Sequence, residues 1–226
     1  GLLEGAVREE AAALVELLKL DSQPQNLSSW RRINHSLEHP MRHCKVAIVG
    51  KYVEVVDAYK SIKESLVHAG IALEASIDVD YLDATRLSPD EISLRLNEYH
   101  GVIVPGGFGE RGITSKIAAV QYAREHKKPF FGICLGMQLA AVEFARHVIG
   151  LAGADSLEFS DGSPHEVISL MADQIGIENK GSTMRLGSYP CHVTPGTRVH
   201  AAYQATEIAE RHRHRYEFNN EYLSDF

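Results

Sequence analysis

The sequence predicts an α/β fold, a mostly parallel, doubly wound sheet with helices on both faces. Two observations predict it. Short apolar runs of strand length alternate along the chain with segments whose apolar residues recur at helical spacing, and such alternation builds a parallel sheet covered on both sides. Glycine-rich turns directly follow two of the apolar runs, at Pro105-Gly106-Gly107-Phe108-Gly109 and at Gly132 to Gly136. Sheets of this class place their binding loops at such strand ends.

The first element stands apart from the rest. Gly5 to Leu20 carries Val7, Ala11, Leu14 and Leu18 at helical spacing, then breaks into the turn-rich run Asp21 to Asn26. A second short helix carries Trp30, with Ser28 or Ser29 as its expected N-cap and the His39-Pro40 pair as its end. The main domain starts near Arg42. Lys45 to Gly50 is an apolar strand, Asp57 to Ala69 a helix, and Glu74 to Tyr81 a strand by its alternation. Pro89 to Tyr99 follows as a helix, Gly101 to Pro105 as a strand and Ile113 to His126 as a helix. Phe130 to Ile133 is then a short buried strand, and Leu135 to His147 a helix with Leu135, Leu139, Val142 and Ala145 on its apolar stripe.

Composition narrows the function. The 226 residues are 44% hydrophobic and 23% charged, which suits one substantial core or a domain with an appendage. A formal charge of −7 argues against a general nucleic-acid binder and in favour of small polar substrates. Cys44, Cys134 and Cys191 are odd in number and far apart, so they form neither a disulfide framework nor a metal-ligand spacing. A reducing compartment is expected. No apolar run approaches the ~20 residues of a membrane span and the N-terminus carries acids, so the cytoplasm is the expected location and no membrane partner is.

Cys134 lies between Gly132 and Gly136 where strand becomes helix. A nucleophile elbow needs small residues two before and two after the nucleophile, because the turn is tight and its backbone approaches neighbouring elements closely. The helix N-terminus should also favour thiolate over thiol. The competing reading is a buried structural cysteine. Gly107, in the loop after the preceding strand, is a candidate oxyanion donor together with the N–H of Leu135, the residue after the nucleophile. A plain glycine turn is its alternative, while a phosphate loop lacks the required lysine pattern. Arg211-His212-Arg213-His214-Arg215 is expected to place three arginines on one strand face and His212, His214 and Tyr216 on the other. No third ligand stands near the histidines at metal spacing, so no metal is expected.

Pro-Gly-Gly-Phe-Gly at 105 to 109, Gly-Ile-Cys-Leu-Gly-Met-Gln at 132 to 138, Thr-Met-Arg-Leu-Gly at 183 to 187 and Glu-Arg-His-Arg-His-Arg-Tyr-Glu at 210 to 217 resemble the class I glutamine amidotransferase domain of the CTP synthases. Val49-Gly50-Lys51-Tyr52 and Asp57-Ala58-Tyr59-Lys60-Ser61 extend the likeness, which runs from about Lys45 onward. Residues 1–41 resemble the end of a synthetase domain and its linker, and 42–226 the amidotransferase domain, incomplete at its C-terminus.

The resemblance implies that Cys134 attacks the carboxamide of L-glutamine to form a thioester and release ammonia. It implies that Gly107 and Leu135 hold the oxyanion. Phe108, Gly136, Met137, Gln138, Glu158, Arg215 and Tyr216 match substrate-binding positions. An acid at 158 suits the α-ammonium and a planar donor at 215 the α-carboxylate. In whole CTP synthases the ammonia aminates UTP in a synthetase domain that uses ATP and magnesium, so no cofactor is implied within these residues. Arg185 falls in a region the family uses for GTP activation, and a homotetramer is implied for the parent enzyme.

One family feature does not occur. Class I amidotransferases complete the triad with a late His-Pro-Glu, whereas the only His-Pro here is His39-Pro40 and His165-Glu166 has no intervening proline. Without that base, hydrolysis is expected to fall by orders of magnitude. The alternative to a glutaminase is accordingly a catalytically silent regulatory or assembly module of the same fold.

Overall fold

In the computed structural model, residues 2–20, 26–55, 57–160, 162–174, 176 and 184–226 are described. Helices α1 (Leu2–Leu17) and α2 (Ser28–Glu38) precede the alternating region. That region runs β1 (Arg42–Gly50), α3 (Lys60–Leu73), β2 (Ala75–Asp83), α4 (Pro89–Leu96), β3 (Gly101–Val104), α5 (Ile113–Glu125), β4 (Phe130–Gly132) and α6 (Leu135–Phe144). The four strands form one sheet in the order β2-β1-β3-β4, every neighbouring pair parallel. The expected α/β architecture is present.

The alternation of β1 explains why both faces are covered. Val46 and Ile48 project to one side, where with Ile103 and Tyr59 they meet Ile62 and Leu66 of α3. Ala47 and Val49 project to the other and join Val102 and Val104 against Ile92 and Leu96 of α4 and Ala119 and Val120 of α5. Each such aliphatic side chain contributes roughly 1.5–3 kcal/mol when fully buried. A third cluster lies beyond β4, where Leu135, Leu139 and Val142 of α6 pack on Val167 and Ile168.

The remaining strands form two smaller sheets. β5 (Ala154–Ser156) pairs parallel with β6 (His165–Leu170), which pairs antiparallel with β9 (Tyr216–Phe218). β7 (Arg185–His192) and β8 (Glu207–His214) make an antiparallel ribbon, joined through the short helix α7 (Arg198–Tyr203). The expected three-arginine face does not form. Arg211 and Arg213 are exposed along β8, but the chain bends at Arg215 to enter the β5-β6-β9 sheet, and that side chain is buried.

Several boundaries also differ from expectation. α2 begins at Ser28 with Leu27 in the cap position, and Asn26 accepts the Ser28 N–H through its side chain, so neither serine is the cap. Asp57 to Tyr59 are turn residues before α3. Glu74 closes that helix in the left-handed conformation at φ 52°, so β2 starts one residue later than expected. α6 gives way at Ala145 to a wider π turn that ends at Ile149. The start of α4 is the best-defined cap. The Ser88 hydroxyl accepts from the Glu91 N–H while the Glu91 carboxylate accepts from the Ser88 N–H. Ser88→Ala should lower unfolding free energy by about 1 kcal/mol in urea titration; an unchanged midpoint would show that the box contributes nothing.

Candidate active site

Cys134 is the cap residue of α6, at φ 55° and ψ −112°, a backbone conformation that a residue with a side chain adopts only under constraint. Two close approaches impose it. A Cβ on Gly136 would stand 1.9 Å from the carbonyl oxygen of Val104, and one on Gly132 would stand 2.6 Å from the backbone of Gly136. The first turn of α6 is therefore seated directly on the end of β3. The Ile133 N–H donates to the Val104 carbonyl at 2.9 Å, and the Cys134 carbonyl accepts from Met137 and Gln138. With its backbone so fixed, the cysteine side chain projects toward the loop after β3, where a Cβ on Gly106 would lie 3.2 Å from that of Cys134.

The backbone N–H groups of Leu135 and Gly107 lie on the side of the Cys134 sulfur, and each pulls its pKa down. Burial is the larger influence and raises it, and Glu158 raises it further. The net direction is upward. The expectation that the helix N-terminus alone would favour thiolate is thus corrected: removing the sulfur from water outweighs the nearby donors.

Lys51, at the end of β1, shapes the 105–109 loop. Its ammonium donates to the Phe108 carbonyl and, at 2.7 Å, to that of Gly109. The Gly109 N–H in turn donates to Glu158 Oε1 at 2.9 Å. Burial and the charge of Arg111 lower the Lys51 pKa, while Glu158 supports its charge. Phe108 is exposed, and the Arg213 guanidinium lies 5.6 Å from its ring centre.

Behind the elbow, the buried Gln138 donates to the Tyr216 carbonyl at 3.1 Å. Arg215, also buried, donates to Gln174 Oε1 at 3.1 Å. The structure thus brings Cys134, Gly107, Leu135 and Glu158 together at one site. Gln138 ties α6 to the strand of Arg215 and Tyr216, while Met137 on the outer side of α6 is exposed. The side chain of Arg185 lies outside the described residues. His165 opens β6 with its ring edge against Tyr222, and among the described residues no three His, Cys, Asp or Glu side chains cluster as metal ligands.

Two residues were assigned no role from the sequence. Lys51 stands at a strand carboxyl end, where loops of this fold gather. Lys116 lies on the apolar stripe of α5 between Ile113 and Ile117, and a lysine in such a stripe is the visible signal.

The fold and the elbow define a class of protein, and the comparisons agree. The sequence model of the family "Glutamine amidotransferase class-I" matches residues 54–225, and the chain belongs to this family. Its relatives include CTP synthase of Maridesulfovibrio salexigens, 49% identical over 92% of this chain and 40% of the relative. CTP synthase of Moorella thermoacetica is 51% identical over 94% of this chain and 39% of the relative. The chain therefore spans about 40% of the length of these relatives. Among solved structures it is similar to the glutaminase domain of Trypanosoma brucei CTPS with bound acivicin, at 39% identity and a TM-score of 0.73, covering 80% of this chain and 70% of that one.

Gly136→Ala should destabilise the domain by about 3 kcal/mol in denaturant unfolding, since neither the carbonyl of Val104 nor the elbow can retreat. Wild-type stability in that variant would contradict the seating of α6 on β3.

Proposed function

We propose that this domain is the glutaminase of a CTP synthase, and the observation that carries the proposal is the strained elbow that holds Cys134 at the N-terminus of α6 against the glycine loop at 105–109. The ionised sulfur attacks the carboxamide carbon of glutamine. Its carbonyl oxygen takes up negative charge within reach of the two N–H groups, which then serve as the oxyanion hole. The C–N bond breaks, the nitrogen leaves as ammonia once protonated, and a thioester remains on Cys134. Water adds to the thioester and releases glutamate and the thiol.

The raised pKa of the resting thiol makes proton removal part of the chemistry. That work falls to the His-Pro-Glu motif of the family, which these residues do not include. Glu158 receives the substrate ammonium and Arg215 its carboxylate, with Gln138 and Tyr216 holding the adjoining backbone and Phe108, Gly136 and Met137 bordering the site. The acivicin in the Trypanosoma brucei domain supports a glutamine-like ligand here.

The wider role is the one that the resemblance to the CTP synthases implies. The ammonia passes to a synthetase domain that aminates UTP with ATP and magnesium. GTP acts near Arg185, the enzyme is a homotetramer, and it works in the cytoplasm. No helix among the described residues is long and apolar enough to cross a membrane.

In the full-length protein, Cys134→Ala should abolish glutamine-dependent CTP formation, by about 10³-fold or more, and leave formation from added ammonium intact. Glutamine use surviving that change would sink the proposal. Arg215→Ala should raise KM for glutamine ~10–100-fold with a smaller change in kcat, the signature of lost charge-assisted binding. A KM that stays at the wild-type value would remove Arg215 from the substrate site.

A further inference from the structure

Lys116 is fully buried, and its ammonium nitrogen has no hydrogen-bond partner among the described residues. It occupies the core-facing stripe of α5, beside Ile113 and Ile117. An unpaired buried ammonium is costly, and methionine would fill the same volume without that penalty. Stability therefore does not account for a lysine at this place.

Electrostatics does. Ile113 and Ile117, which flank Lys116 on α5, pack in one cluster with Leu135, the residue after Cys134. The buried ammonium therefore lies within electrostatic reach of the sulfur, and each charge favours the other. The other charges acting on the pair come from separate elements. Lys51 at the end of β1 opposes the charge on Lys116, and Glu158 after β5 opposes ionisation of Cys134. Arg111, before α5, acts on Lys51. Of the side chains facing the thiol, Glu158 works against the thiolate and Lys116 works for it.

We infer that Lys116 is a positioning residue that holds a positive charge behind the elbow and so stabilises the thiolate of Cys134. The inference rests on the reading of Cys134 as nucleophile only for its kinetic consequence; its effect on the sulfur stands on geometry and charge. Burial and Lys51 lower the Lys116 pKa to about 8, so the group is still mostly charged at neutral pH. A lysine protects its neighbour's anion only while protonated. Its influence is present below that pH and fades as pH rises through it.

The test is alkylation of Cys134 by iodoacetamide as a function of pH, read by peptide mass spectrometry, in the full-length protein and its Lys116→Met and Lys116→Gln variants. The exposed Cys191 serves as internal reference. Both variants should lower the Cys134 rate near neutrality about tenfold, where Lys116 is charged, and leave Cys191 unchanged. The profiles should meet at alkaline pH, where the thiol is ionised in all three proteins. The melting temperature of Lys116→Met should equal or exceed that of wild type, because an unpaired charge has left the core. With glutamine as substrate, kcat should fall near neutrality, KM should hold, and the deficit should close with rising pH.

Superimposable alkylation profiles would overturn the inference and leave the glutaminase proposal standing. Failure of both variants to fold would also overturn it, since it would make Lys116 a structural residue. A wild type that ignores glutamine, with variants whose Cys134 is still alkylated more slowly near neutrality, would sink the function proposed above and leave this inference in place.

Discussion

The carbonyl oxygen of Val104 lies 1.9 Å from the place a side chain at position 136 would need, and the site depends on that contact. It seats the first turn of α6 on the end of β3, with room for hydrogen alone. Gly132 presses on Gly136 from the strand before, and Cys134 between them is held in a conformation that costs roughly 1–3 kcal/mol by itself. The parallel sheet bears that strain. Val102 and Val104 are anchored between β1 and β4 with their side chains in the core under α4 and α5, so β3 does not yield when α6 leans on it.

The same placement fixes the electrostatics. With the sulfur turned toward the loop at 105–109, Lys51 holds that loop by two carbonyls and Glu158 holds it by one N–H. Lysines 51 and 116 are both buried. The donors and Lys116 favour a thiolate, whereas burial and Glu158 favour a thiol and prevail. A resting thiol resists stray oxidation and alkylation. In the reaction proposed above it becomes a nucleophile only when a proton acceptor and an electrophilic substrate are both present, and that coupling would make hydrolysis selective.

The alternating elements and the elbow were legible in the sequence because each rests on local rules. Period-two runs such as Val46 to Val49 bury both faces, and Gly132 and Gly136 bracket Cys134 at the spacing an elbow requires. Glu158, Arg215 and Tyr216 were singled out only through the likeness to a family, since nothing local distinguishes them. Arg215 shows why: in the strand pattern it belongs with Arg211 and Arg213, and only the bend from one sheet into another buries it. Lys51 bonds to a loop far away in sequence, and the burial of Lys116 exists only once β1, α5 and α6 have packed. The reversal of the thiol's expected pKa direction has the same origin, because burial is a property of the assembled core.

The most direct test of the central claim is covalent capture. The full-length protein is incubated with a chloroketone analogue of glutamine, with and without excess glutamine, and each cysteine peptide is weighed. One adduct on Cys134, suppressed by glutamine and absent from Cys44 and Cys191, is the expected result. An unmodified Cys134, or modification that glutamine does not slow, would contradict the assignment of this elbow as a glutamine-directed nucleophile.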